Sequence, residues 1–220
     1  MSVENTGQAR ELLLDLVWAS VAIGLTGAAG AMAVHLVEPS IHSPDFLWIS
    51  GRALGIAAYV ALFLLELLGI WIRHPWRFRV VRPHPEARLR AHGALAVATT
   101  LLVTGHLVSL AMDRYAGVGW WGALIPGMSH YRRGAVAFGV VGFLALVLIS
   151  ATAGLSGRVG TRHWLGIHRC AALVFAVVWA HGVLAGADSA LLRPMYVATG
   201  VIWLVALSSR LMAAPTPVAS

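Results

Sequence analysis

Several stretches of this chain run for more than about 18 residues with few or no charged side chains, the length a helix needs to cross a hydrocarbon core of roughly 30 Å. Inside such a core every backbone N–H and C=O must find its partner within the protein. A spanning segment is therefore a helix or a strand of a closed barrel. A barrel requires strict alternation of polar and apolar residues, and that alternation is absent. The sequence reads as an all-α, multi-pass membrane protein. Its composition agrees, with 59% of residues hydrophobic and 11% charged, and a mean hydropathy of +0.78.

Six transmembrane helices packed in a bundle are expected: Leu12–Val37, Ala53–Ile72, Ala91–Met112, Gly134–Leu155, Trp164–Ala185 and Pro194–Leu207. A cytoplasmic segment, residues 1–11, precedes a single six-helix domain over residues 12–211, and a cytoplasmic tail covers residues 212–220. The first segment, with Glu4, Arg10 and Glu11, lacks the basic region of a signal peptide, so the first span is expected to stay in the mature protein. Gly24, Gly27 and Gly30 in that span suit close approach of another helix. Pro75, Pro83 and Pro85 mark a loop between the second and third spans, and Pro85 suits a first helical turn. Trp120 and Trp121 lie in the loop Asp113–Arg133 and suit a segment at headgroup level.

The net charge of +7 comes from sixteen arginines and no lysine. They sit in short loops between the spans rather than on one soluble face, which argues against a nucleic-acid surface. With six spans, eleven arginines fall on the side of the termini: Arg10, Arg73, Arg77, Arg79, Arg82, Arg88, Arg90, Arg158, Arg162, Arg169 and Arg210. Five fall on the other side: Arg52, Arg114, Arg132, Arg133 and Arg193. This bias puts both termini in the cytoplasm and the protein in the cell membrane. The third and fifth spans then run in the same direction. Cys170 is the single cysteine, which excludes an internal disulfide and a cysteine-bound iron–sulfur cluster.

Four histidines stand inside those two parallel spans. His92 and His106 are fourteen residues apart in the third, and His168 and His181 thirteen apart in the fifth. Each spacing rises about 20 Å along a helix. His92 is then expected to face His168 near the cytoplasmic side, and His106 to face His181 near the outer side. Neutral imidazole is a common axial ligand for haem iron, and ionisable residues within a bilayer are rare and usually functional. The expected ligand sets are His92 with His168 for an inner haem iron, and His106 with His181 for an outer one. One angle resists. Fourteen residues return to within roughly 40° of the same helix face, but thirteen leave an offset of about 140°. Either the fifth helix is locally distorted, or the two haems meet it on different flanks.

Neighbouring residues fit a cofactor. Gly93, Ala96, Gly105, Gly166 and Gly182 leave room for a flat macrocycle, or for close helix packing. Arginine is suited to haem propionates. Arg88 and Arg90 precede His92, Arg169 adjoins His168, and Arg52, Arg132 and Arg133 lie on the outer side. Arg52 is the favoured one. Glu66, a carboxylate in an apolar span, suits either a proton or quinol site or a protonated, hydrogen-bonded carboxyl. Phe175 and Trp179 lie between the fifth-span histidines, where core packing is the simpler role.

The stretch His163-Trp-Leu-Gly-Ile-His168-Arg-Cys, followed by His181-Gly-Val-Leu-Ala-Gly, resembles the ferric reductase-like transmembrane domain, and so does the His92/His106 spacing. The resemblance covers roughly Gly51–Leu207. That family includes ferric-chelate reductases, the membrane half of NADPH oxidases and the haem subunit of a bacterial methionine-sulfoxide reductase. The resemblance implies six helices, two b-type haems on His92, His106, His168 and His181, and electrons passed outward. Arg52 resembles an arginine that some members place near the outer haem. Full-length eukaryotic members continue into a flavin and nicotinamide module, and these 220 residues contain no Gly-rich nucleotide loop after a strand. Oxygen-reducing members resemble one another in a histidine one turn beyond the outer third-span ligand, where this chain has Leu110. The methionine-sulfoxide reductase subunit uses fewer of the four histidines.

The functional expectation is a transmembrane electron-transfer cytochrome, an oxidoreductase subunit that needs a partner for electron input. The donor would be a separate flavoprotein or a membrane quinol, and the acceptor a ferric chelate or external redox protein. The alternatives are a haem-free proton-coupled transporter, with the histidines and Glu66 as a relay, and a membrane assembly subunit without redox chemistry.

Overall fold

The computed structural model describes residues 43–74, 85–155 and 161–213. The expected first span, Leu12–Val37, lies outside the described residues, and so does most of the arginine- and proline-rich loop before the third span. The chain divides into two compact units, Met1–Phe46 and Leu47–Ser220. The second carries the helices and sites that follow.

Helix α1 spans Phe46–Arg73 and α2 spans Pro85–Met112. A short helix, α3, covers Gly119–Leu124, and α4 covers Arg133–Gly154. Then come α5, Thr161–His168, α6, Ala171–Ala185, and α7, Arg193–Met212. No strand occurs among the described residues. Among the described residues, five segments are long and apolar enough to cross a membrane: Phe46–Ile72, Glu86–Met112, Arg133–Gly154, His163–Ala185 and Arg193–Met212. They carry many exposed apolar side chains, including Val97, Leu101, Val197, Val201 and Leu204. A soluble monomer rarely exposes so much contiguous apolar surface, whereas a bilayer solvates it.

The helices run past the apolar stretches that announce them. α1 starts at Phe46 rather than Ala53, after a turn in which Ser43 O accepts the Phe46 N–H at 3.1 Å. It ends where Pro75 follows His74, a residue pair that disfavours further helix. α2 opens on Pro85, whose missing N–H costs nothing in a first turn. α7 continues through Ser208, Ser209 and Arg210 to Met212. Hydropathy marks the part of a helix that needs lipid; backbone hydrogen bonding carries the helix beyond it.

The fifth span is not one regular helix. α5 stops at His168, and α6 resumes at Ala171. Across the join, Cys170 N–H donates to Ile167 O at 3.0 Å and Leu173 N–H to Cys170 O at 3.0 Å, both with the tighter i to i−3 spacing.

Polar groups inside the helices are satisfied locally, as an apolar surround requires. Thr99, Thr100 and Thr104 each donate to the carbonyl four residues back, at 2.8, 2.9 and 2.8 Å. Small residues let the elements approach. A Cβ on Gly142 of α4 would lie 2.6 Å from the Val178 side chain of α6. The core centres on Phe175, which is fully buried among Tyr59, Leu62, Leu65, Leu146, Ile149 and Tyr196. Tyr59 and Thr199 share a hydroxyl hydrogen bond between α1 and α7. Trp179 Nε1 donates to Tyr196 O at 2.9 Å, tying α6 to α7.

The α3 segment closes one end. Asp113 accepts the Ala116 N–H at 2.6 Å, and buried Ser129 exchanges hydrogen bonds with the Tyr131 backbone. A Cβ on Gly122 would lie 2.7 Å from Ser129 Cα, so only glycine lets α3 fold back here. Trp120 and Trp121 remain exposed.

Candidate functional site

A matched spacing builds the two sites. On α1, Gly55 and Gly69 are fourteen residues apart, as His92 and His106 are on α2. The helices run antiparallel, so each glycine meets one histidine. A Cβ on Gly55 would lie 2.7 Å from His106 Nδ1, and one on Gly69 would lie 3.2 Å from His92 Cε1. On the far side, α4 supplies the counterpart: a Cβ on Gly139 would lie 2.7 Å from His181 Cε1. Glycine at these places makes room for imidazole.

Across the bundle the histidines meet in pairs. The His92 and His168 rings have centroids 6.0 Å apart at an interplanar angle of 70°. The His106 and His181 rings are 6.4 Å apart at 74°. The first histidine of α2 faces the first of the α5–α6 span, and the second faces the second, so these elements run parallel. The break after His168 resolves the angular mismatch of a thirteen-residue spacing: His168 closes α5 and His181 belongs to α6, so they need not share one regular helix face.

The two pairs differ in their surroundings. His106 Nδ1 lies 2.7 Å from Gly51 O, and His181 Nδ1 lies 2.8 Å from Ala135 O. A carbonyl only accepts, so each Nδ1 carries the proton and donates it. The lone pair of each ring is thereby placed on Nε2, the arrangement usual for a metal-ligating histidine. The His106–His181 pair lines a cavity, partly open to the outside, which reaches Arg52, Asp188 and Tyr131. At the His92–His168 pair, His92 Nδ1 is buried with no hydrogen-bond partner among the described residues. Trp164 stacks on His168, centroids 5.3 Å apart.

Arg52 points into the cavity, and a partner not foreseen from the sequence holds it. Its Nε donates to Asp188 Oδ2 at 2.8 Å, and Nη2 bonds Oδ1 of the same carboxylate. Trp48 lies under the guanidinium, 5.6 Å from centroid to Cζ. Arg169 is exposed in the turn after His168. Arg132 donates to Leu184 O at 2.9 Å, and Arg90 is exposed beside Glu86 at 3.8 Å. Leu110 packs on Gly51, its Cδ2 2.8 Å from where a Cβ would stand. Glu66 is buried on α1 and makes no hydrogen bond to another described residue.

Of the glycines noted near the histidines, Gly93 and Gly166 have open space beside them. Gly105 and Gly182 serve packing, against Leu54 and the Tyr196 ring. Gly55, Gly69 and Gly139 carry no individual signal in the sequence. The equal spacing of the first two with the α2 histidines was the signal available. Phe175 lies about midway in sequence between His168 and His181, with Tyr59 and Phe63 each 5.9 Å away and Trp203 at 5.2 Å.

The arrangement suits a metal that brings its own equatorial ligands. Among the described residues no group of three or more His, Cys, Asp and Glu converges. Each pair instead brings two imidazole rings together, 6.0 and 6.4 Å between centroids. With a metal–nitrogen bond of about 2 Å and roughly 1 Å from nitrogen to ring centre, two imidazoles flanking one metal have centroids about 6 Å apart. The separations of 6.0 and 6.4 Å match that spacing. No family model, curated protein or solved structure matches this chain.

Proposed function

We propose that this chain is the membrane cytochrome of an electron-transfer system and holds two b-type haems. His92 and His168 would hold the iron of one haem, and His106 and His181 that of the other. The observation that carries this reading is the pair of opposed imidazoles at 6.0 and 6.4 Å, repeated at two levels of the same parallel helices. Bound there, the irons would supply one-electron chemistry between the two membrane faces.

The chain's own residues do the rest. Gly51 O and Ala135 O fix the tautomer of His106 and His181. Gly55, Gly69 and Gly139 keep the rings from being pushed aside. Phe175, between His168 and His181 in the sequence, anchors an aromatic and aliphatic core with Tyr59, Leu62, Leu65, Leu146, Ile149 and Tyr196. Arg52 in the cavity is paired with Asp188, and Arg169 beside His168 is exposed, adding positive charge suited to a carboxylate side group. With six spans and both termini cytoplasmic, the His92–His168 level lies toward the cytoplasm. The electron donor is a separate flavoprotein or a quinol, and the acceptor is an outer ferric chelate or redox protein, as the resemblance to ferric reductase-like domains implies.

Purified protein from haem-sufficient cells should show b-type bands in a reduced-minus-oxidised spectrum. Absence of those bands would overturn the reading in favour of a haem-free transporter or assembly subunit. With the bands present, His92→Ala and His168→Ala should each remove the same haem, and His106→Ala and His181→Ala the other.

A further inference from the structure

The His92–His168 level contains buried donors that no described residue satisfies. Arg88 Nε and Trp164 Nε1 are both buried without a hydrogen-bond partner. Each occupies the same place relative to its histidine: Arg88 is four residues before His92 on α2, and Trp164 four before His168 on α5. Four residues put a side chain on the same helix face about 6 Å nearer the N-terminus. The two elements run parallel, so both donors lie to the same side of the imidazole pair. Both are also held by aromatic stacking. The Arg88 guanidinium lies 5.4 Å from the Trp71 ring centre, and the Trp164 ring stacks on His168.

A buried donor without an acceptor is costly in an apolar surround, because no water replaces the missing bond. The nearby carboxylates do not serve. Glu86 is exposed beside Arg90, and Glu66 bonds to neither donor. The other level shows the satisfied state, since Arg52 there receives the carboxylate of Asp188 on both of its bonding nitrogens.

We infer that Arg88 and Trp164 form a carboxylate clamp for the ligand held between His92 and His168. The clamp rests on the haem reading and makes it more specific: the carboxylates are the propionates of that haem, which would point toward the N-terminal ends of α2 and α5. Arg88 supplies charge and Trp164 a neutral N–H, so the site distinguishes a carboxylate from an ester.

The test uses the full chain produced without haem supply and titrated with haem or with haem dimethyl ester, in which both propionates are capped. The component lost in His92→Ala identifies the relevant site. In the unsubstituted protein that site should bind haem at least tenfold more tightly than the ester. Arg88→Met and Trp164→Phe, which keep the bulk of the side chains, should each shrink that preference. Arg88→Met should also lower the midpoint potential of this haem, because it removes a positive charge that favours the ferrous form. Arg90→Met changes the net charge equally and should leave the preference intact. Retention of the His106–His181 haem shows that each variant is folded. Equal binding of haem and ester by the unsubstituted protein overturns the clamp and points to an anion of other origin, such as a lipid phosphate. Unchanged preference in both variants overturns it too, with the cytochrome reading still standing. Failure of the unsubstituted protein to bind either ligand overturns the cytochrome reading itself.

Discussion

At Gly55 and Gly139 a hydrogen stands where any other residue would place a methyl group within 2.7 Å of an imidazole atom. Real Cβ contacts do not come that close, so one side must yield. The yielding group would be a ring whose Nδ1 is pinned to a backbone carbonyl, at 2.7 Å for His106 and 2.8 Å for His181. Gly55→Ala and Gly139→Ala are therefore expected to weaken haem binding at the His106–His181 level by about 10–100-fold, the range seen when groups that orient metal ligands are altered. The other haem should be retained, and pyridine haemochrome stoichiometry checks both. Gly69→Ala should be milder, since its contact with His92 would be 3.2 Å. Loss of both haems in Gly55→Ala would mean that the glycine serves the fold rather than the ring.

At the scale of the element, the join at Arg169–Cys170 sets the angle between two histidines. A regular helix would turn His181 about 140° away from the face of His168. The tighter hydrogen bonds around Cys170 replace that fixed relation with one set by the turn. Inserting one alanine after Cys170 rotates α6 by about 100° and moves it about 1.5 Å relative to α5. Because α6 is packed on α4 through Gly139 and Gly142, the displaced element should be the short α5. The expected outcome is loss of the His92–His168 haem with retention of the other, read from the two components of a redox titration. Loss of the His106–His181 haem instead would show that α5 is the better anchored of the two.

For the whole molecule, the arginine distribution makes a claim about orientation. His163, exposed at the start of α5, belongs to the arginine-rich side, and Tyr115, exposed before α3, to the opposite side. With the single native cysteine removed by Cys170→Ala, His163→Cys should react with a membrane-impermeant thiol reagent only in inside-out vesicles. Tyr115→Cys should react only from the outside of intact cells. The reverse pattern would invert the direction proposed for electron flow without disturbing the proposed haem ligands.

The sequence by itself determined the helical membrane character, because backbone polar groups in lipid admit few solutions and length sets which runs can span. It also showed the four histidines and the order in which they would meet. Three things were not legible there. Helix ends at Phe46 and Met212 lie beyond the apolar runs, where hydropathy carries no signal. The spacing of His168 and His181 pointed to a distortion of the fifth helix or to different flanks; which of these holds, and that the break falls just after His168, was not legible, since Arg169 and Cys170 are compatible with helix. The partners of the candidate site, Gly69 against His92, Gly139 against His181 and Asp188 on Arg52, come from elements 23, 42 and 136 residues away. Periodicity records which face of a helix is apolar, but which residue of another helix reaches that face depends on register and packing, and only the tertiary structure decides those.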